Sequence, residues 1–204
     1  MDHESRNLES LLEDVRATLV RAVADAKHEW HLPVVSTVDL QGRPAARTVV
    51  LRSVEWDCPA PPSLSFHTDS RSRKPIELLS CADVAWLFYD RRRKVQLRVG
   101  GVAKVHHRDD VADAGWARTS LSSRRCYLAP HAPSSELDSW DPNLPPDLLK
   151  AVPAEAQSEA GRNAFAVVRT EVRELERLEL HHDGHVRTRW TWSGGDAHGA
   201  WLAP

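Results

Sequence analysis

A succession of short β-branched runs, each closed by turn residues and with few helical stretches between, most constrains the fold. "PVVSTVDL" and "PAARTVVLRS" are separated by "QGR", which reads as a hairpin turn around Gly42. "LSFHT" follows the Pro-rich loop "DCPAPP", and "DVAWLFYD" and "KVQLRVGGVAKVH" flank the polar turn "RRR". Later, "AFAVVRTEVRELERLEL" turns at "HHDGH" through Gly184, continues as "VRTRWTW" and leads to "AWLAP". Runs this closely spaced pair antiparallel, because parallel pairing needs a long crossover between strands. They predict a mainly β chain with flanking helices, a barrel or a sandwich. A barrel also removes open sheet edges. The absence of βαβ alternation and of G-x-G-x-x-G argues against a Rossmann nucleotide site.

The helical signals are few. From about residue 6 to 28, Leu8, Leu11, Leu12, Val15, Leu19, Val20 and Val23 return to one face, the pattern of a docked amphipathic helix. "KPIELLS" reads as a short helix with Pro75 in its first turn, and "DDVADAGWARTS" as another. Residues from about 130 to 161 form an excursion rich in Pro, Ser and Asp, with a helix expected around Pro146–Ala156. Strands return over 163–204. Gly100-Gly101 inside a strand predicts a bulge, or a close approach to the backbone.

The chain has 204 residues, enough for a real core, and a net charge of -2, so any anion site must be local. Cys58, Cys81 and Cys126 lie far apart with no paired spacing, which disfavours a disulfide framework or a zinc knuckle and fits a reducing compartment. "MDHESRNLES" lacks an apolar signal core, and no apolar run is long enough to span a bilayer. The expectation is a soluble cytoplasmic protein without membrane association.

One stretch concentrates charge. In "FHTDSRSRKPIELLS", Arg71, Arg73 and Lys74 fall between a strand end and a helix start. Either water screens them or they await an anion. Helix N-termini attract anions, hydroxyls of Thr68, Ser70 and Ser72 can donate, and Arg73 offers a planar fork beside the Lys74 point charge. "RTVVLR" carries Arg47 and Arg52 at the ends of an apolar strand. Alternation places Arg47, Val49 and Leu51 on one face and Thr48, Val50 and Arg52 on the other. The arginines then serve two different anions, or both snorkel at an edge. Gln96, next to the glycine pair, could bond a polar ring or simply face solvent.

These segments, in this order, resemble the pyridoxamine 5'-phosphate oxidase family. That family carries R-x-V-L-L-K, then Y-T-N-x-x-S-R-K, then Q-V-x-V-x-G. Here they stand as Arg47-Thr-Val-Val-Leu-Arg52, His67-Thr-Asp-Ser-Arg-Ser-Arg-Lys74 and Gln96-Leu-Arg-Val-Gly-Gly101. "VRTRWTW…WLAP" is similar to the closing R-L-x-D-R…W…R-L-x-P. The resemblance spans about Val34 to Pro204 and implies one domain over 1–204. The implied fold is an antiparallel, six-stranded FMN-binding split β-barrel.

It implies that Arg47, Arg73 and Lys74 hold the FMN phosphate, with Thr68 and His67 along the ribityl chain or phosphate and His67 replacing a tyrosine. The backbone of Val49, Val50 and Leu51 would run against the flavin ring, and Gln96 would bond its polar edge. Arg189 would reach the flavin from the second subunit of a homodimer. Arg52 stands where the family has a substrate-phosphate lysine. The Y-x-x-x-R-P-x-x-S stretch has no clean counterpart; "GWARTSLSSRRCYLAP" offers Trp116, Arg118, Ser120, Arg124 and Arg125 instead. Ser134-Ser135 replaces a Q-S pair, His185-Val186-Arg187 replaces R-L-H, and the tryptophan expected near Leu180 is missing. The departures cluster on the substrate side, where Arg52, Arg124 and Arg187 are the candidates for an anionic substrate.

The implied activity is hydride transfer from a small substrate to FMN. The alternatives are a genuine pyridoxamine or pyridoxine 5'-phosphate oxidase and a non-catalytic flavin-binding module. Other classes are weaker. His181, His182 and His185 lie in a tight turn, so no metal site is expected. "DRRRK" lacks interleaved aromatics and reads as a solvated hairpin turn, so no nucleic-acid partner is expected. Of the eight tryptophans, Trp86 reads as core, while Trp190 and Trp192 share a strand face that could meet a dimer contact or the flavin edge. No Ser-His-Asp arrangement suggests hydrolysis.

Overall fold

The structure, a computed structural model, describes residues 7–57, 60–193 and 195–204. Cys58 and the expected helix start at Arg6 lie outside the described residues. Helix α1 (Leu8–Ala24) starts where the Asn7 side chain accepts the Ser10 N–H at 2.7 Å, and it buries Leu11, Val15 and Leu19. It stops short of the expected residue 28 because Asp25 leaves helical geometry (φ −105°, ψ 103°). A tight turn follows, then a 3-10 turn at Glu29–His31 that seats Trp30 in the core.

All strand pairs are antiparallel. The strands are β1 (Val34–Val38), β2 (Pro44–Thr48), β3 (Ser53–Glu55), β4 (Ser63–Asp69), β5 (Asp83–Asp90), β6 (Val95–His106), β7 (Phe165–Glu179), β8 (Val186–Ser193) and β9 (Asp196–Leu202). The hydrogen-bonded path is β2-β1-β5-β6-β7-β4-β3, with β8 and β9 branching from β7. One edge of β7 is shared: its first half pairs with β4 and its second half with β8.

The path ends at β2 and β3, which are consecutive in the chain. Residues 49–52 span the gap with bonds to both sides. Val49 and Leu51 donate to the carbonyls of Pro33 and His31, both at 3.0 Å, and Arg52 donates to that of Ser65 at 2.8 Å. Seven strands lie on this path, six if β2 and β3 are taken as one, and β8 and β9 bring the nine-stranded sheet to its full width. This is the expected split barrel, enlarged by a C-terminal hairpin. Inside it, Trp86 meets Phe66 edge-on at 5.5 Å and stacks with Phe88 at 6.1 Å. Trp190 is also core, while Trp192 packs against Trp56.

Helix α2 (Arg73–Ser80) links β4 to β5, and α3 (Asp110–Arg118) follows β6. The helix expected over Pro146–Ala156 is instead a 3-10 turn at Pro146–Leu148 and a short helix, α5 (Glu155–Ser158), with α4 (Leu121–Arg124) preceding both. Pro153 lies between the two pieces and cannot donate a helical hydrogen bond.

The glycine pair behaves as a bulge: register shifts between Gly100 and Gly101. A Cβ on Gly101 would lie 2.3 Å from the Glu171 carbonyl oxygen, whereas one on Gly100 would meet nothing within 4 Å. Gly101→Ala is therefore expected to lower unfolding free energy by about 1–3 kcal/mol in urea denaturation, with Gly100→Ala much closer to neutral.

Candidate functional site

Strand alternation along residues 47–52 creates two poles. Arg47 points inward beneath α2, where it donates to Thr37 Oγ1 at 2.5 Å and to Glu77 Oε2 at 2.9 Å. Thr37 also donates to Glu77, at 2.6 Å, so one buried carboxylate oxygen anchors strand β1, strand β2 and helix α2 together. Arg52, on the other face, points away from this cluster.

The first pole answers the charge puzzle of the β4–α2 loop. Arg71 is neutralised locally: it forks onto Asp69 at 2.7 Å and donates to the Ala129 carbonyl at 3.0 Å. Glu77 is engaged by Arg47. Arg73 and Lys74 have no carboxylate partner among the described residues. Burial, then the nearby Arg47 charge, lowers the pKa of Lys74, with Glu77 and Asp69 opposing. Thr68 and Ser72 are buried and share a hydrogen bond at 3.1 Å. Ser72 is the N-cap residue, yet its hydroxyl donates backwards to the Asp69 carbonyl at 2.7 Å and does not cap α2. The helix start thus offers backbone N–H groups beside cations that lack counter-charge, a chemistry that fits a phosphate.

The second pole lies outside the barrel, between β4 and α3. His67 and Thr68 are neighbours in sequence but face opposite ways: Thr68 joins the first pole and His67 lines the outer pocket. Arg52, Ser65, Arg118, Thr119 and Ser120 line it too. The His67 ring sits edge-on to Phe165 at 4.7 Å. Burial, with Arg52 and Arg118 adding repulsion, pushes its pKa down to about 4, so it is neutral at pH 7.

A third group lies on the outward face of the sheet. Gln96 is half-buried beside Ser36, Leu87, Arg98 and Glu174 in a shallow groove. Arg189 is exposed on β8, 4.0 Å from Glu174. One copy of the chain does not bring Gln96 and Arg189 into either pole. Val49 and Leu51 are buried and Val50 half-buried, in the segment that joins the two poles.

Two substrate candidates are otherwise engaged. Arg124 is buried and spends its donors on the carbonyls of Thr119 and Trp116, on Ser158 and on Glu159, and it stacks 4.5 Å over Trp116. It ties α3 to α5 and leaves no free donor edge for a ligand. Arg187 is paired with Glu176 at 2.8 Å and lines neither pole. Arg118, one of several cations in its segment, is the residue that reaches the pocket; the pattern of α3 alone did not single it out. Among the described residues no group of three or more His, Cys, Asp and Glu assembles a metal site, and no helix is long and apolar enough to cross a membrane.

Comparison with known proteins agrees with this fold. Residues 13–107 match the family model described as pyridoxamine 5'-phosphate oxidase, FMN-binding domain. The chain is 33% identical over 132 residues to pyridoxine/pyridoxamine 5'-phosphate oxidase 2 of Arabidopsis thaliana, covering 59% of this chain and 64% of that protein. It is 38% identical over 91 residues to the Roseobacter denitrificans pyridoxine/pyridoxamine 5'-phosphate oxidase, covering 44% and 42%. The matches thus span about half the length of these relatives. In structure, a pyridoxamine 5'-phosphate oxidase-related, FMN binding protein from Nostoc punctiforme superposes with a TM-score of 0.70 at 19% identity, covering 94% of this chain and 96% of that one. PhzG from Burkholderia lata, in complex with tetrahydrophenazine-1-carboxylic acid, superposes at 0.69 and 24% identity, covering 96% and 91%. These likenesses establish the fold.

The neutral state of His67 gives a pH prediction. The unfolded chain takes up a proton near pH 6.5, the folded chain only near pH 4. His67 should therefore cost the protein stability as pH falls from about 6.5 towards 4, on the order of 3 kcal/mol at most. Urea unfolding across this window should show a shallower fall in a His67→Gln variant, which cannot titrate there.

Proposed function

We propose, on the premise of the match of residues 13–107 to the pyridoxamine 5'-phosphate oxidase FMN-binding domain, that this protein is an FMN-dependent oxidoreductase acting on a small, anionic substrate. The observation that carries the reading is the first pole. Arg73 and Lys74, without carboxylate partners among the described residues, flank an uncapped helix start beside the Arg47–Glu77 pair. Arg73, Lys74 and the first-turn N–H groups hold the FMN phosphate, and Arg47 adds its field from below. Thr68 lies beside the phosphate. The segment Val49–Leu51 supplies the wall against which the ring system rests. Bound FMN supplies the hydride-accepting chemistry; the residues around it bind, orient and exclude water.

The second pole is then the substrate side, with Arg52 at the junction. Gln96 and Arg189 complete the flavin site across a two-fold homodimer, packed through the outward sheet face where Leu87 and Tyr89 are 40% and 43% exposed. A vitamin B6 phosphate oxidase activity is the less favoured assignment. Arg124, in the segment that stands in place of the family's substrate stretch, is committed to structure.

Freshly purified protein should show a flavin absorption spectrum, and released chromophore should be FMN at one per chain. Arg73→Ala should raise the FMN dissociation constant by about tenfold or more, the loss of a charge-assisted bond. A colourless protein that takes up no added FMN, or an Arg73→Ala variant of unchanged affinity, would sink the assignment.

A further inference from the structure

The outer pocket holds a combination of groups that the flavin reading leaves unused. Its cavity measures about 270 Å³. Arg52, from the segment after β2, and Arg118, from α3, both line it, and neither guanidinium has a hydrogen bond or ion pair among the described residues. The nearest carboxylate on the rim, Glu55, is held by Arg169 at 2.6 Å. Within reach of both cations stands an imidazole, not an acid.

The hydrogen bonds assign its tautomer. Thr119 Oγ1 donates its only proton to the Gly115 carbonyl, at 2.8 Å. The contact of the same oxygen with His67 Nδ1, at 3.4 Å, must then run from the ring N–H to the hydroxyl. Nδ1 carries the proton and Nε2 keeps its lone pair. No described side chain donates to Nε2. The two guanidiniums also oppose protonation of the ring, so the acceptor persists through physiological pH. Phe165 fixes the ring plane.

We propose that His67 is a specificity-determining hydrogen-bond acceptor in a pocket for a small organic oxyanion that also carries an O–H or N–H donor. Arg52 and Arg118 hold the oxyanion, and Nε2 of His67 receives the donor. The pocket selects against an anion of the same shape without the donor, because such a ligand leaves a half-buried acceptor unpaired. This rests on the reading of the outer pocket as the substrate side of the flavin site.

The test uses benzoate and its 2-, 3- and 4-hydroxy derivatives as probes, with calorimetry on the full chain at pH 7, with and without added FMN. At least one hydroxybenzoate should bind about three- to tenfold tighter than benzoate, the worth of one neutral hydrogen bond. His67→Phe should erase that preference while benzoate still binds. His67→Gln, which keeps an acceptor oxygen, should retain part of it and covers the case in which the Phe variant misfolds. Arg118→Met should weaken all probes. In NMR titrations, a bound oxyanion should raise the His67 pKa by offsetting the two guanidiniums, a change that a purely structural histidine would not show. Equal affinity for every probe, a preference that survives His67→Phe, or no benzoate binding at all would overturn the proposal. Calorimetry does not read flavin, so a protein that binds no FMN would defeat the cofactor assignment and leave this result interpretable.

Discussion

The architecture depends on one extended segment, residues 44–55. Its first part pairs with β1, its last part with β4, and the bonds of Val49, Leu51 and Arg52 bridge the two. Because side chains alternate along an extended chain, a segment that joins the ends of the sheet path must also send successive residues to the inside and the outside. Val49 and Leu51 go to the core. Arg47, on the same inward face but at the end of the barrel, meets Glu77 and Thr37. Arg52, on the opposite face, meets the outer pocket. Sheet continuity and the separation of two cationic sites are thus one geometric fact.

Glu77 makes the inner site a fixed structure. Its carboxylate, 5% exposed, ties Arg47 and Thr37 to α2, so the start of that helix is held in place relative to the barrel mouth. A buried carboxylate with a single cation and a hydroxyl is balanced. Adding Lys74 nearby tips the local charge to positive, and burial makes that charge costly, which is why its pKa is depressed. The same field that penalises the ammonium rewards an anion. Arg71 plays no part in this surplus, because Asp69 neutralises it and its bond to Ala129 clasps the start of the Pro-rich excursion onto the barrel. Of three cations that look alike in sequence, one is a clasp and two remain available.

Much of this was legible from residue order. Period-two alternation predicted that Arg47 and Arg52 diverge, and the glycine pair predicted the bulge at Gly100-Gly101. What escaped is what depends on long-range partners. Nothing local in "WARTSLSSRR" tells Arg118 from Arg124; the difference is that Glu159 and Ser158, more than thirty positions later, meet one of them and not the other. His67 and Thr68 look like one motif, yet as consecutive residues of β4 they serve different faces. The helix expected across the excursion failed for a local reason, the interruption at Pro153, but its remnants persist because Leu148 and Ser158 are buried.

The two poles place different demands on the chain. Residues 13–107, which the family model matches, contain most of α1, the closing segment, α2 and β6, and with them the residues of the inner site. α3 and the Thr119-Ser120 turn after it line the second pole together with β4 and β7. An anion site made from helix N–H groups and cations constrains few residues tightly, because a phosphate looks the same wherever it is bound. A pocket wall must instead follow the shape and donors of its own ligand. In the outer pocket His67 departs from the tyrosine of the resembling motif, and Arg118 of α3 lines the same pocket. A single cation would bind any anion; a neutral acceptor beside two cations would make the pocket selective.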